Sequence, residues 1–102
     1  MTDEQTIMSI IANSGDSISY TMEAMILAQR QNKDGYETAM KNSLDLLQKA
    51  HQLHTDLLVR EARGEKIPVS TLLIHASTHM ANAELARMFA ETLKSAWIKE
   101  ES

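Results

Sequence analysis

The sequence predicts an all-α protein built from three long helices. Only 4% of its 102 residues are aromatic, and it contains three glycines and one proline, whereas alanine, leucine, methionine, glutamine, glutamate and lysine are abundant. These abundant residue types favour helices over strands. Two stretches rich in helix breakers, RQNKDGYE after residue 29 and RGEKIPVS after residue 62, divide the chain into three segments. We therefore expect an antiparallel three-helix bundle.

The second break has clear helix signals on both sides. Gly64 suits the position just past a helix end, and Pro68 suits the start of the next helix, where its missing N–H costs little. The expected single domain, residues 1–102, contains helices over about 3–31, 34–63 and 69–99.

The first helix contains a weaker interruption at Gly15 and Asp16. Glycine costs only about 1 kcal/mol in a helix relative to alanine. We therefore expect a continuous first helix in which Gly15 marks a close approach, although a split there is the alternative.

The first two helices are amphipathic, because their apolar residues recur at a spacing close to 3.6. The predicted apolar faces are Ile7, Ile11, Ile18, Met22, Met25 and Ile26 on the first helix, and Ala39, Met40, Leu44, Leu47, Ala50, Leu53, Leu57 and Leu58 on the second.

The third helix differs, since apolar residues surround most of its first two-thirds. A helix of a lone three-helix bundle keeps one face in water, so a helix that is apolar on two faces implies a contact with another chain. We expect an oligomer whose interface contains this helix.

Composition and charge narrow the function classes. The formal net charge is −4 without a basic cluster, which argues against a nucleic-acid partner. The apolar runs are too short to span a bilayer, so we expect no direct membrane insertion. An N-terminus unlike a signal peptide and the absence of cysteine fit a cytoplasmic protein.

Four histidines form two pairs at helical spacing: His51 and His54, and His75 and His79. Each pair can share a helix face, and four imidazoles could bind zinc. Without cysteine or a His-Glu-x-x-His pattern, however, the sequence does not favour a metal. Histidines that simply fill a core or an interface are a second interpretation. The third is imidazole chemistry, in which a histidine carries a group between proteins.

The run AHQLHTDLLVREARGEKIPVSTLLIHASTHMANAELA, residues 50–86, resembles the lactose/cellobiose-type (diacetylchitobiose-like) IIA components of the bacterial sugar phosphotransferase system. The family pattern is approximately Ala-His-x-x-Gln-Thr-x-Leu-x-x-x-Glu-Ala-x-Gly-Glu, followed by Leu-Leu-x-His-Ala-Gln-Asp-His-Leu-Met. A weaker likeness, the Gly-Asp of the first helix and the start of the second, extends over nearly the whole chain.

The resemblance implies a homotrimer of three-helix subunits, a nine-helix bundle, and we expect this chain to need no cofactor. It implies that His75 accepts a phosphoryl group from phospho-HPr and passes it to a cysteine of the IIB component. IIB then phosphorylates a disaccharide that enters through the IIC membrane channel. His79, one turn further on, could donate a hydrogen bond or a positive charge to the phosphoryl oxygens.

Three of the departures from the family pattern bear on its site. Ser77 and Thr78 replace the usual Gln-Asp between the two histidines, and His54 replaces the glutamine of the second helix. The family's aspartates converge on the threefold axis around a metal cation. Three Thr78 hydroxyls do not repel one another, so we expect a trimer axis without metal. His54 could take over the amide's hydrogen bond and support the phosphate, or it could be a solvated helix residue.

Two function classes remain open from the sequence. A phosphoryl carrier, and therefore a phosphotransferase, is favoured by the two motif histidines, His75 and His79. A non-catalytic structural or regulatory oligomer, or a histidine-rich metal-binding bundle, is the alternative, because a partly altered motif is also what a repurposed relative has. The sequence does not indicate whether cellobiose, chitobiose or lactose is the sugar.

Overall fold

The computed structural model describes residues 1–99 and contains three α-helices. The helices are α1, Asp3–Gln29; α2, Lys33–Ala62; and α3, Thr71–Trp97. The predicted all-α, three-helix fold is confirmed. The last three residues of the predicted domain, 100–102, lie outside the described part of the chain.

Local backbone signals explain the helix ends. α1 ends at residue 29 rather than 31, and Gln31 after it adopts a left-handed φ of 63°. α3 begins at residue 71 rather than 69, because Ser70 is its N-cap and accepts a hydrogen bond from the N–H of Leu73 at 3.1 Å. α3 ends at residue 97 rather than 99, where Ile98 turns to an extended conformation. Gly64 follows α2 with a φ of 95°, as its position predicted.

α1 is the central helix of the chain. It packs along both α2 and α3, which contact each other much less, and the subunit is 56 Å long and 19 Å wide. The beginning of α1 packs against the end of α2 and the beginning of α3, so consecutive helices are antiparallel. The core at this end consists of Ile7, Ile10, Leu47, Ala50, Leu57, Ile67, Ala76, Met80 and Ala83.

The predicted apolar face of α1 is only partly correct. Ile7 is buried, but Met22 and Ile26 are about half exposed, at 52% and 48%. The buried residues of α1 are instead Ile7, Ile10, Ser14, Ser17, Thr21, Ala24 and Ala28. The interior side of α1 is therefore polar in its middle.

A ring of hydroxyl hydrogen bonds makes this polar interior possible. Ser17 Oγ donates to the carbonyl of Ser43 at 2.8 Å, and Thr21 Oγ1 donates to the carbonyl of Ser17 at 3.0 Å. The remaining hydroxyl proton, on Ser43, then bridges to Thr21 over 2.6 Å. Since small side chains allow close packing and each proton has an acceptor, α1 and α2 join here without a large apolar side chain.

Gly15 does not mark a close approach within the subunit, which corrects the prediction. α1 is continuous through it, as expected, but a Cβ at this position would meet nothing within 4 Å.

Arg87 ties α3 to α2 although the two helices make few contacts. Its side chain is buried and donates to the backbone carbonyl of Met40 at 2.7 Å and to Glu91 at 2.9 Å. The bond to Met40 joins the two helices, whereas Glu91, on α3 itself, partly neutralises the buried guanidinium.

Among residues 1–99, none of the three helices combines the length and apolarity that crossing a membrane requires.

Candidate functional site

His75 and His79 lie together near the beginning of α3. Their ring centroids are 4.5 Å apart, and the ring planes meet at 86°, edge to face. His75 is exposed, whereas His79 is half-buried. An exposed imidazole with a second imidazole against it can accept a group from a large partner and stabilise it once bound.

His79 has one nitrogen without a partner. Its Nδ1 atom is shielded from solvent and has no hydrogen-bond partner among residues 1–99. A buried polar atom left unpaired costs roughly 1–3 kcal/mol. The described residues therefore leave this nitrogen of His79 without a hydrogen bond.

His54 does not lie beside His75 in the subunit. Its Nε2 atom is 3.4 Å from Ser77 Oγ, across the seam between α2 and α3. Since each residue turns a helix by about 100°, Ser77 points about 200° away from His75. The two residues predicted to support the phosphate therefore lie on different sides of α3. His79 lies beside His75, and His54 of α2 lies against Ser77.

The fourth histidine also faces the seam. His51 pairs with Glu84, and both side chains are about half exposed. Within residues 1–99 there is no group of three His, Cys, Asp or Glu side chains that could hold a metal ion. The four histidines therefore do not assemble into a metal site inside one subunit.

The outer face of α3, opposite α1, is apolar and uncovered. Ile74 is 59% exposed, Leu85 50% and Met88 62%. Thr78 lies in the same row, and its hydroxyl donates to the carbonyl of Ile74 at 3.0 Å. The row alternates steps of four and three residues and contains no charge: Ile74, Thr78, Ala81, Leu85, Met88 and Thr92. This is the spacing of a coiled-coil seam.

A family comparison decides the identity of the chain. The sequence model of one protein family, the PTS system lactose/cellobiose-specific IIA subunit, matches residues 5–97. The chain belongs to this family. It is a sugar-specific IIA component of the phosphotransferase system, and such components are phosphotransferases that work with other proteins of the system, such as IIB.

Individual relatives agree with this IIA assignment. The lichenan-specific phosphotransferase enzyme IIA component of Bacillus subtilis is 34% identical over 92 residues, which is 89% of this chain and 84% of the relative. The N,N'-diacetylchitobiose-specific EIIA component of Escherichia coli is 32% identical over 84 residues, or 82% and 72% of the two chains. The crystal structure of a cellobiose-specific enzyme IIA from Bacillus anthracis has a TM-score of 0.91 at 35% identity, covering 95% of this chain and 89% of that one.

The sequence of this IIA chain did not reveal one contact of the candidate site. Ser77 and His54 are both departures from the family pattern, and the structure brings their side chains together. The only signal was that both departures occur in the two motif segments. Whether two such residues meet depends on the rotation of α2 against α3, which helical periodicity leaves undetermined.

Proposed function

We propose that this IIA chain is a cytoplasmic phosphoryl carrier with His75 as its acceptor. The phosphoryl group comes from phospho-HPr and goes to a cysteine of the IIB component, which serves disaccharide uptake through the IIC channel. The observation that carries the proposal is the exposed His75 ring with the His79 ring against its edge at 4.5 Å.

The proposed phosphoryl transfer requires few functional groups from a small helical protein. A neutral imidazole nitrogen of His75 attacks the phosphorus, the bond to the HPr histidine breaks, and a new N–P bond forms. A thiolate of IIB then attacks the same phosphorus, and the His75 imidazole leaves. Phosphoryl transfer through a loose transition state depends mainly on positioning and on neutralising oxygen charge, so one exposed imidazole and a few donors suffice.

His79 is the proposed supporting group. A ring N–H of His79, or its positive charge when protonated, stabilises the phosphoryl oxygens on His75. This role accounts for the closeness of the two rings. It requires that His79 be held in position. Its buried Nδ1 has no partner among residues 1–99, and we propose that another subunit supplies one.

The proposed assembly is a homotrimer with the outer face of α3 on its axis. The charge-free row of α3 supports this arrangement, because three such rows can pack together without burying an unpaired charge. Thr78 lies in that row with its hydroxyl already bonded to its own helix. Three Thr78 side chains therefore need neither a cation nor one another.

In this proposal the partner proteins determine which sugar is transported. The relatives carry the names of lichenan, diacetylchitobiose and cellobiose systems. A carrier that exchanges a phosphoryl group only with HPr and IIB does not contact the sugar, so its site contains no sugar-specific feature.

Phosphoryl transfer to the purified protein tests the proposal directly. Incubation with phosphoenolpyruvate, enzyme I and HPr should add one acid-labile phosphate-sized mass per subunit, measured by intact mass spectrometry. His75→Gln should remove this gain and keep the helical content. His51→Gln, on the seam between α2 and α3, is the matched control and should keep the gain.

The opposite result points to the non-catalytic oligomer. If the folded wild-type protein gains no phosphate, or if His75→Gln gains as much as the wild type, His75 is not the acceptor. A chain that assembles without accepting phosphate would be a structural or regulatory bundle.

A further inference from the structure

We propose that a cleft between α2 and α3, far from His75, binds a small organic acid with an apolar body and one carboxylate. The cleft lies between the first half of α2 and the second half of α3, and its volume is about 390 Å³. This volume is within the range of small-molecule sites. The inference does not rest on the proposed carrier function, because the residues of that function do not line the cleft.

The cleft is remote from both His75 and the proposed trimer axis. Two of its cations, Arg87 and Lys94, follow His75 along α3 by about 18 and 28 Å of helical rise, at 1.5 Å per residue. At about 100° per residue, they lie on the side of α3 opposite the outer row through Ile74 and Leu85. The proposed trimer packs that row and does not use these two cations.

The α2 side of the cleft is largely apolar. Tyr36 and Met40 are buried, whereas Leu44 is 38% exposed. The Tyr36 hydroxyl donates to the carbonyl of Ala90 at 3.1 Å, so its proton is already in use. Because α2 and α3 contact each other little, no side chain of the other helix covers this surface fully. An alkyl or small aromatic body placed there would remove apolar surface from water.

Arg87 is the most buried cation of the cleft. Its side chain is 11% exposed, and its bonds to the carbonyl of Met40 and to Glu91 use two of the five N–H groups of a guanidinium. Glu91 is 59% exposed, so solvent weakens its compensation of the buried charge. The three N–H groups that these bonds do not use can donate to a further carboxylate.

The charges of the cleft suit a ligand with a single negative charge. The lining contains three cations and two carboxylates: Lys41, Arg87, Lys94, Glu37 and Glu91. Burial, and after it the charge of Glu91, raises the pKa of Tyr36 above its ordinary 10.0, so the phenol adds no charge near neutral pH. One carboxylate balances the single excess positive charge. A phosphate dianion would instead leave an excess negative charge beside two carboxylates.

Lys94 is placed to share the carboxylate with Arg87. Its Nζ atom is 3.7 Å from Glu37 Oε1 and 5.7 Å from the centre of the Tyr36 ring. The ammonium group therefore lies over the edge of the apolar surface, and only a long contact ties it to Glu37. We expect the ligand's carboxylate between Arg87 and Lys94 and its apolar body along Met40 and Leu44.

A titration of the purified wild-type protein with hexanoate tests the site. The methyl resonances of Met40 and Leu44 report binding by nuclear magnetic resonance. We expect saturable shifts with a Kd of about 1 to 10 mM, since a ligand of this size makes few contacts. Acetate lacks the apolar body and 1-hexanol lacks the charge, so each should bind at least about tenfold more weakly.

Two charge variants and a control assign the carboxylate's position. Lys94→Gln should weaken hexanoate binding about threefold, as expected for a partly exposed charge. Glu91→Gln should strengthen it, because Glu91 no longer competes for Arg87. Lys49→Gln removes the same charge from an exposed position of α2 outside the cleft and should change nothing. Circular dichroism should show the same helical content in all three.

Several results would overturn the site. Hexanoate that produces no saturable shift shows that the cleft does not bind an organic acid. Hexanol that binds as tightly as hexanoate, or acetate that does, shows that only one part of the ligand is recognised. Wild-type affinity in both Lys94→Gln and Glu91→Gln shows that the carboxylate lies elsewhere. None of these results changes the expected phosphorylation of His75.

Discussion

The inner and outer faces of α3 are both apolar, yet only the inner face is covered within the subunit. Ala76, Met80 and Ala83 are buried against α1, whereas Ile74, Leu85 and Met88 are exposed by half or more. One helix thus has two apolar faces that differ in what covers them. The inner face stabilises the subunit, and the outer face is available for assembly, with His75 at the boundary between them.

The largest expected effect is the loss of assembly when the outer face receives a charge. Leu85→Asp would bring three carboxylates to the proposed axis, where desolvation and mutual repulsion oppose association. We expect sedimentation to give a monomer and circular dichroism to give unchanged helical content. Gln48→Asp adds the same charge to an exposed position of α2 and should leave the trimer intact. A Leu85→Asp protein that remains trimeric would show that the outer face is not the interface.

A matched pair of methionines separates subunit stability from assembly. Met80 is buried on the inner face, and Met88 is 62% exposed on the outer face. In the monomeric Leu85→Asp background, Met80→Ala should lower the free energy of unfolding by about 2 to 5 kcal/mol, because it leaves a cavity. Met88→Ala should change it by less than about 0.5 kcal/mol. Urea denaturation measures both, and equal losses would contradict the division into two faces.

The sequence predicted the three helices and the His75–His79 pair because these depend on spacing along one helix. Contacts between helices could be predicted less well from the sequence. Ser17 and Thr21 read as polar, yet both are buried, because Ser43 of another helix completes their hydrogen bonds. The apolar residues Met22 and Ile26 are exposed for the complementary reason, since their side of α1 has no partner in the subunit.

Gly15 and His54 show the same limit of prediction from the sequence. Gly15 was expected to approach a helix closely, but the space above it is open in the subunit. His54 was expected to support the phosphate on His75. Within one chain it contacts Ser77 on the other side of α3, and the supporting role stays a prediction. Sequence periodicity gives the face of a helix on which a residue lies. It does not say whether that face meets the same subunit or another copy.

A smaller effect is expected at Thr78, in the middle of the outer row. The proposed trimer of the wild type should be unaffected by EDTA, because three hydroxyls need no cation. Thr78→Asp should weaken the trimer roughly tenfold to a hundredfold in EDTA, since three carboxylates about 6 Å apart repel even at high dielectric. A divalent cation should restore its association, measured by sedimentation equilibrium. A wild-type trimer that dissociates in EDTA would contradict a metal-free axis.

The smallest expected effect concerns the subunit end that carries His75, where an ion pair ties α1 to α2. Arg60 donates to Asp3 at 2.7 Å and also pairs with Glu65. These hydrogen bonds from Arg60, reinforced by its charge and opposed by partial desolvation, lower the pKa of the Asp3 carboxyl below its ordinary 3.8. Because the folded-state pKa is the lower one, the stabilisation is complete above pH 3.8 and is lost as the pH falls through the folded-state value.

Asp3→Asn should therefore lower the melting temperature slightly at neutral pH and flatten its decline in acid, with no change in oligomeric mass. Glu4→Gln is the matched control, because it removes a neighbouring charge from the same first turn, where both carboxylates favour the helix dipole. If both variants lost the same stability at every pH, the effect would belong to the helix dipole. A loss specific to Asp3 that disappears in acid assigns it to Arg60, and it should be the same in the trimer and in the Leu85→Asp monomer, because the ion pair lies within one subunit.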